Sequence, residues 1–109
     1  MANWIDVGTL EQYPEGRHVC THAAGEPIIV CQLDGQLHVL RNVCPHAGKP
    51  LGEGERCGAV IVCPYHGYAY KLTDGRNADC PEDEPPCRTY PVTTANGRVY
   101  VDPTKPKRP

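Results

Sequence analysis

Phenylalanine is missing altogether, and the 109 residues include only one tryptophan and one methionine. With 39% hydrophobic residues the chain can bury only a thin core, enough for a single domain. No stretch is long and apolar enough to span a membrane as a helix. The start, Met1-Ala2-Asn3-Trp4-Ile5-Asp6, has neither the basic nor the apolar region of a signal peptide, so a cytoplasmic protein is expected. Charge of one sign is scarce too. A formal net charge of −2 gives no footing for nucleic acid. An even cysteine count is also lacking. Seven cysteines and no export signal argue against a secreted disulfide framework, so those outside a metal site are expected to be reduced.

Turn formers are abundant instead, with 11 glycines and 12 prolines, which predicts many turns and little helix. Two stretches concentrate the chemistry: Cys44-Pro45-His46 and Cys63-Pro64-Tyr65-His66, with sixteen residues between His46 and Cys63. Each arm offers one thiolate and one imidazole. Cys44 and His46 lie on the same side of an extended chain, and a tight turn would bring Cys63 and His66 to one point. Pro45 and Pro64 restrict the backbone inside each arm. Gly48 and Gly67 follow, leaving room for the chain to approach a cofactor. Two cysteines and two histidines suit a tetrahedral zinc. They also suit a [2Fe–2S] centre with two thiolates on one iron and two imidazoles on the other. Zinc fingers usually pair like with like within an arm, whereas here both arms are mixed, which favours the two-iron cluster. Four buried, unliganded residues are the bland alternative.

The rest of the chain reads as short strands. Residues 3–7 predict a strand anchored by Trp4, and Leu10 to Gly16 a turn-rich connector. Arg17–Ala23 and Pro27–Leu33 predict a hairpin about Gly25-Glu26, with a type II′ turn. Asp34-Gly35 predicts a type I′ turn into Gln36–Arg41, giving a three-stranded meander. Asn42 to Gly52 and the residues after Val62 are the two metal loops, with Ala59–Val62 a strand between them. Tyr68–Leu72, a turn at Asp74-Gly75, an irregular Asn77–Pro86, and a last hairpin of Arg88–Thr94 and Arg98–Asp102 about Asn96-Gly97 complete the pattern. Many short strands and tight turns predict an all-β protein, an antiparallel sandwich or barrel.

Cys44-Pro45-His46-Ala47-Gly48-Lys49-Pro50-Leu51-Gly52-Glu53-Gly54, followed by Cys63-Pro64-Tyr65-His66-Gly67-Tyr68-Ala69-Tyr70, resembles the Rieske proteins, and among them the small ferredoxins of bacterial multicomponent, ring-hydroxylating oxygenases. The resemblance implies the Rieske fold, with a β base and a small cluster-binding subdomain. Residues 1–102 would form one domain, about 42–72 the cluster-binding subdomain, and 103–109 a flexible tail. Cys44, His46, Cys63 and His66 would bind one Rieske-type [2Fe–2S] cluster. In cytochrome-complex Rieske proteins a disulfide ties the two loops together. Its positions here are Lys49 and Tyr65, so it is absent. Their serine near the last histidine is Tyr68 here. Their tyrosine that bonds a cysteine sulfur is Tyr70, which otherwise reads as a core aromatic. Fewer donors to sulfur should place the potential toward the lower end of the Rieske span, roughly −150 to +300 mV.

Asp79 to Cys87 sits where the family has a loop shielding the cluster. Its acidic run, Glu82-Asp83-Glu84, is either a solvated surface or a contact for a basic partner. Cys80 and Cys87 flank it and are expected to be reduced. The turns place Cys20 opposite Cys31 and Cys31 opposite His38, a row read as small buried side chains rather than a second metal site. No role attaches to Cys57, and His18 and His22 read as surface or edge residues. By resemblance, the chain is a one-electron carrier rather than an enzyme. It would take electrons from a flavin- and NADH-dependent ferredoxin reductase and pass them to a terminal oxygenase, as a monomer without nucleic-acid or membrane partners. The rivals are a small subunit of a larger reductase, such as a nitrite reductase, and a structural zinc module.

Overall fold

A computed structural model describes residues 3–45, 48–65, 67–79 and 86–106. Ten strands run in the order β1 (Ile5–Thr9), β2 (His18–Ala23), β3 (Glu26–Leu33), β4 (Gln36–Arg41), β5 (Glu55–Cys57), β6 (Val60–Val62), β7 (Ala69–Lys71), β8 (Thr89–Tyr90), β9 (Val92–Ala95) and β10 (Arg98–Val101). Single 3₁₀ turns cover Leu10–Gln12 and Leu51–Glu53. The strands form three antiparallel sheets, ordered β1-β10-β9, β2-β3-β4-β8 and β5-β6-β7.

The four-stranded sheet lies at the centre because β3 carries the continuous apolar run Ile28-Ile29-Val30-Cys31. Alternate side chains on a strand point to opposite faces, so a run without polar breaks asks for burial on both. Ile28 and Val30 enter one core with Ala23, Val39, Tyr90, Tyr13, Val99 and Val101, against the β1-β10-β9 sheet. Ile29 and Cys31 enter a second core with Leu40, Leu51, Ile61, Tyr70, Leu72, Cys44, Cys63 and Cys87, against the β5-β6-β7 sheet. The Tyr13 hydroxyl donates to the Val7 carbonyl inside the first core.

Two hairpins follow the sequence reading. Asp34 and Gly35 have φ of 52° and 79°, and Asn96 and Gly97 have 52° and 76°, both with the two left-handed residues of a type I′ turn. The β2–β3 turn differs. Its central residues are Ala24 and Gly25, with φ of 51° and 83°, so it is type I′ rather than II′ and sits one residue earlier. Type I′ matches the strand twist with glycine second, and all three turns share that placement. The register therefore slides, pairing Cys20 with Ile29 and His18 with Cys31. Cys31 does face His38, as expected. Trp4 is no core anchor, since it is 43% exposed; Ile5 and Val7 pack on the first core instead. The expected strand Arg88–Thr94 is split at Pro91, which has no N–H to give a ladder. Thr89 and Tyr90 pair with β4, while Val92 to Ala95 pair with β10 in another sheet. Strand β5 was not foreseen.

Candidate metal centre

The two loops begin at the same point and fold in the same way. The Cys44 N–H donates to the Lys49 carbonyl at 2.8 Å, and the Gly48 N–H returns to the Cys44 carbonyl at 2.8 Å. Nineteen residues on, the Cys63 N–H donates to the Tyr68 carbonyl at 2.7 Å, and the Gly67 N–H returns to the Cys63 carbonyl at 2.9 Å. Gly48 and Gly67 adopt φ of 69° and 73°, the left-handed conformation that a side chain resists. A Cβ on either would meet nothing within 4 Å, so within the protein it is the turn, not crowding, that calls for glycine.

These twin turns deliver Cys44 and Cys63, both fully buried, into the second core. His46 and His66 lie outside the described residues. The Tyr70 hydroxyl, also buried, stands 3.6 Å from Cys44 Sγ. This is the sulfur contact expected of it. Tyr68 packs half-buried against the same core. The positions of the missing disulfide, Lys49 and Tyr65, are neighbours: the Lys49 ammonium lies 4.8 Å from the centroid of the Tyr65 ring.

Cys87 sits in the same core, unannounced by the sequence. Its N–H donates to the Gly75 carbonyl at 2.7 Å and its thiol to the Arg41 carbonyl at 3.3 Å. Burial, with the nearby Cys44 charge, pushes this thiol up to about 12. Cys87 thus lines the core beside Cys44 as a buried thiol. Cys31 behaves alike. Burial raises it to about 11, and it donates to the His38 carbonyl at 3.5 Å. Cys20 and Cys57 are exposed, and none of the six described cysteines is in a disulfide. Cys80 and Glu82-Asp83-Glu84 lie outside the described residues. Among those described, no third histidine, cysteine or carboxylate gathers into a metal-binding group.

Contacts from the central sheet hold the first loop from outside. The His18 ring bonds the Gly52 carbonyl through Nε2 at 2.8 Å, and Asn42 Oδ1 accepts the Gly52 N–H at 2.6 Å. His18, on the edge strand β2 as expected, thus also supports the loop. On the other side of the site, Asn77 is fully buried and bridges Tyr70, so the stretch after β7 begins as an ordered edge. No helix among the described residues is long and apolar enough to cross a membrane.

Two buried thiols on matched loops, with a hydroxyl beside one sulfur and apolar packing beneath, make a β-sheet site whose donors suit an iron–sulfur cluster. Residues 3–94 match the family described as the Rieske [2Fe-2S] domain. The chain is 32% identical to the ferredoxin component of the naphthalene 1,2-dioxygenase/salicylate 5-hydroxylase systems of Ralstonia sp, over 91% of this chain and 94% of that one. It superposes along its whole length on the whole of a chain from the complex of reduced oxygenase and oxidized ferredoxin in carbazole 1,9a-dioxygenase, with TM-score 0.85 and 27% identity. A longer chain matches as well, from a carbazole-bound oxygenase and ferredoxin complex of the same enzyme (TM-score 0.82, 30% identity). The match takes in 91% of this chain, which spans 28% of that one. The chain belongs to the Rieske [2Fe-2S] family, and its cofactor is a Rieske-type [2Fe–2S] cluster.

Proposed function

We propose that this protein is the ferredoxin of a ring-hydroxylating oxygenase system, carrying one electron at a time to a terminal oxygenase. The observation that carries this reading is the convergence of Cys44 and Cys63 in one core, in a chain similar over 91% of its length to the ferredoxin component of an oxygenase system. Cys44 and Cys63 would hold one iron, and His46 and His66 the other. A bound cluster supplies one-electron redox chemistry with little change in structure.

The chain's own residues prepare that site. The two glycine turns present both sulfurs from backbone that is already hydrogen-bonded, so little reorganises on electron transfer. The Tyr70 hydroxyl lies where it favours the more electron-rich, reduced state. Leu51, Ile61, Leu72 and Cys87 keep water from the sulfurs. In this reading residues 1–102 act as one domain, 42–72 as its cluster-binding part and 103–109 as a tail. The protein is a carrier and not itself an enzyme. A flavin- and NADH-dependent reductase is the proposed donor, and the free thiols suit the cytoplasm as its compartment.

The test is direct. The purified protein should carry two irons and two acid-labile sulfides, and should be reduced by such a reductase and reoxidised by an oxygenase of this class. Zinc without sulfide would defeat the cluster reading. A loaded protein that no such oxygenase reoxidises would defeat the carrier reading.

A further inference from the structure

Tyr65 of the second loop is gripped twice by the first. Lys49 lies over its ring at 4.8 Å from the centroid, and its hydroxyl donates to Glu53 Oε1 at 2.8 Å. Lys49 and Glu53 flank the start and end of the turn that leaves Cys44's loop, so one aromatic side chain is held at its face by a cation and at its tip by an anion. The backbones are close beneath. A Cβ on Gly54 would stand 1.7 Å from the Val62 carbonyl oxygen and 3.1 Å from Pro64 Cδ. Tyr65, at 38% exposed, is one of three large hydrophobic side chains on the described surface.

We infer that Lys49, Tyr65 and Glu53 form a non-covalent clasp that keeps the two loops closed over Cys44 and Cys63 and slows loss of the cluster. It spans the two positions at which a covalent tie is absent. The inference rests on the ligand reading above. The clasp has a physical signature that simple packing lacks. A phenol donating to a carboxylate is a more electron-rich ring, which attracts the ammonium more strongly. The two contacts reinforce one another and should fail together. They act only in the closed state, so removing either should speed opening without changing what the closed site looks like.

The experiment follows bleaching of the cluster's visible absorbance in excess iron chelator, using the loaded protein and surface variants that leave both cores intact. Lys49→Met should bleach about two- to five-fold faster, the range expected from an exposed cation–π contact. Tyr65→Leu should be at least as fast, and the double variant no faster than Tyr65→Leu alone. Lys49→Arg should restore the original rate, because a guanidinium stacks on the same face. Glu53→Gln, which keeps an acceptor, should bleach more slowly than Glu53→Ala. The electron paramagnetic resonance spectrum should not change in any variant. Single effects that multiply in the double variant, or Lys49→Met bleaching at the original rate, would overturn the clasp while leaving the ligand reading intact. Absence of iron and sulfide from the unsubstituted protein would overturn both.

Discussion

Strand β3 serves two cores made of different materials. The core on one face is aliphatic and aromatic: Ile28, Val30, Val39, Val99 and Val101 with Tyr13 and Tyr90, set between sheets whose strands reach eight residues. The core on the other face mixes Ile29, Leu40, Leu51, Ile61 and Leu72 with four cysteines, under a sheet whose three strands have three residues each. Sheets that short are marginal alone. The first core can stand on hydrophobic burial. The second is the core that a cluster bound at Cys44 and Cys63 would stabilise, by the usual coupling of metal binding to folding. One half of the molecule is a scaffold, and the other is a site completed by its cofactor.

The largest expected effect breaks the second half alone. Cys44→Ser or Cys63→Ser should abolish the cluster, and His46→Ala or His66→Ala should do likewise. Iron and sulfide analysis checks this. Hydrogen exchange should then show β5–β7 unprotected while β2–β4 stay protected. Equal loss in both halves would erase the contrast.

Next comes damage to the scaffold. Ile28→Ala empties space in the first core and should lower unfolding stability by about 2–5 kcal/mol. The cluster's spectrum should hold until the whole chain melts, as read by denaturant titration followed at two wavelengths.

Thiol chemistry sharpens the comparison further. Burial holds Cys31 near 11 and Cys87 near 12, so at pH 8 both are almost wholly protonated in the folded protein. Exposed Cys20 and Cys57 should alkylate at least an order of magnitude faster, as mass spectrometry of the labelled peptides would show. Raising the pH toward 11 should begin to open Cys31 before Cys87. A folded-state thiol pKa raised in this way favours the native state at neutral pH, and the advantage fades as alkali ionises the group.

The smallest effect is electronic. Tyr70→Phe removes the hydroxyl facing Cys44 Sγ and should lower the reduction potential by roughly 20–60 mV, the worth of one ordinary hydrogen bond to the reduced state. Protein-film voltammetry measures it, and an unchanged potential would return Tyr70 to the scaffold as packing.

Much of this was legible because it is local. Asp34-Gly35 and Asn96-Gly97 are turns whatever surrounds them, since their left-handed conformations suit those residues. Pro27 to Leu33 read as a strand from its β-branched and apolar residues, and the structure adds that Ile28 to Cys31 are buried on both faces. The mixed Cys/His arms favoured a two-iron cluster over zinc through ligand chemistry, before any fold was known. Other features depend on what meets what. The Gly25 hairpin slipped by one residue because two turn placements keep the same side chains on the same faces, and only turn geometry chooses between them. Pro91 marks a break, but which sheet each half joins is settled by distant strands. The burial of Cys87, the support of Gly52 by His18 and the meeting of Lys49 with Tyr65 and Glu53 leave no pattern along the chain. By itself, the order of residues determined the Asp34-Gly35 and Asn96-Gly97 turns and favoured one kind of cofactor, because these rest on backbone preference and donor chemistry within a few residues. Only the tertiary structure decided which thiols are buried and which side chains meet across the loops, because desolvation and side-chain contact arise where separate segments pack.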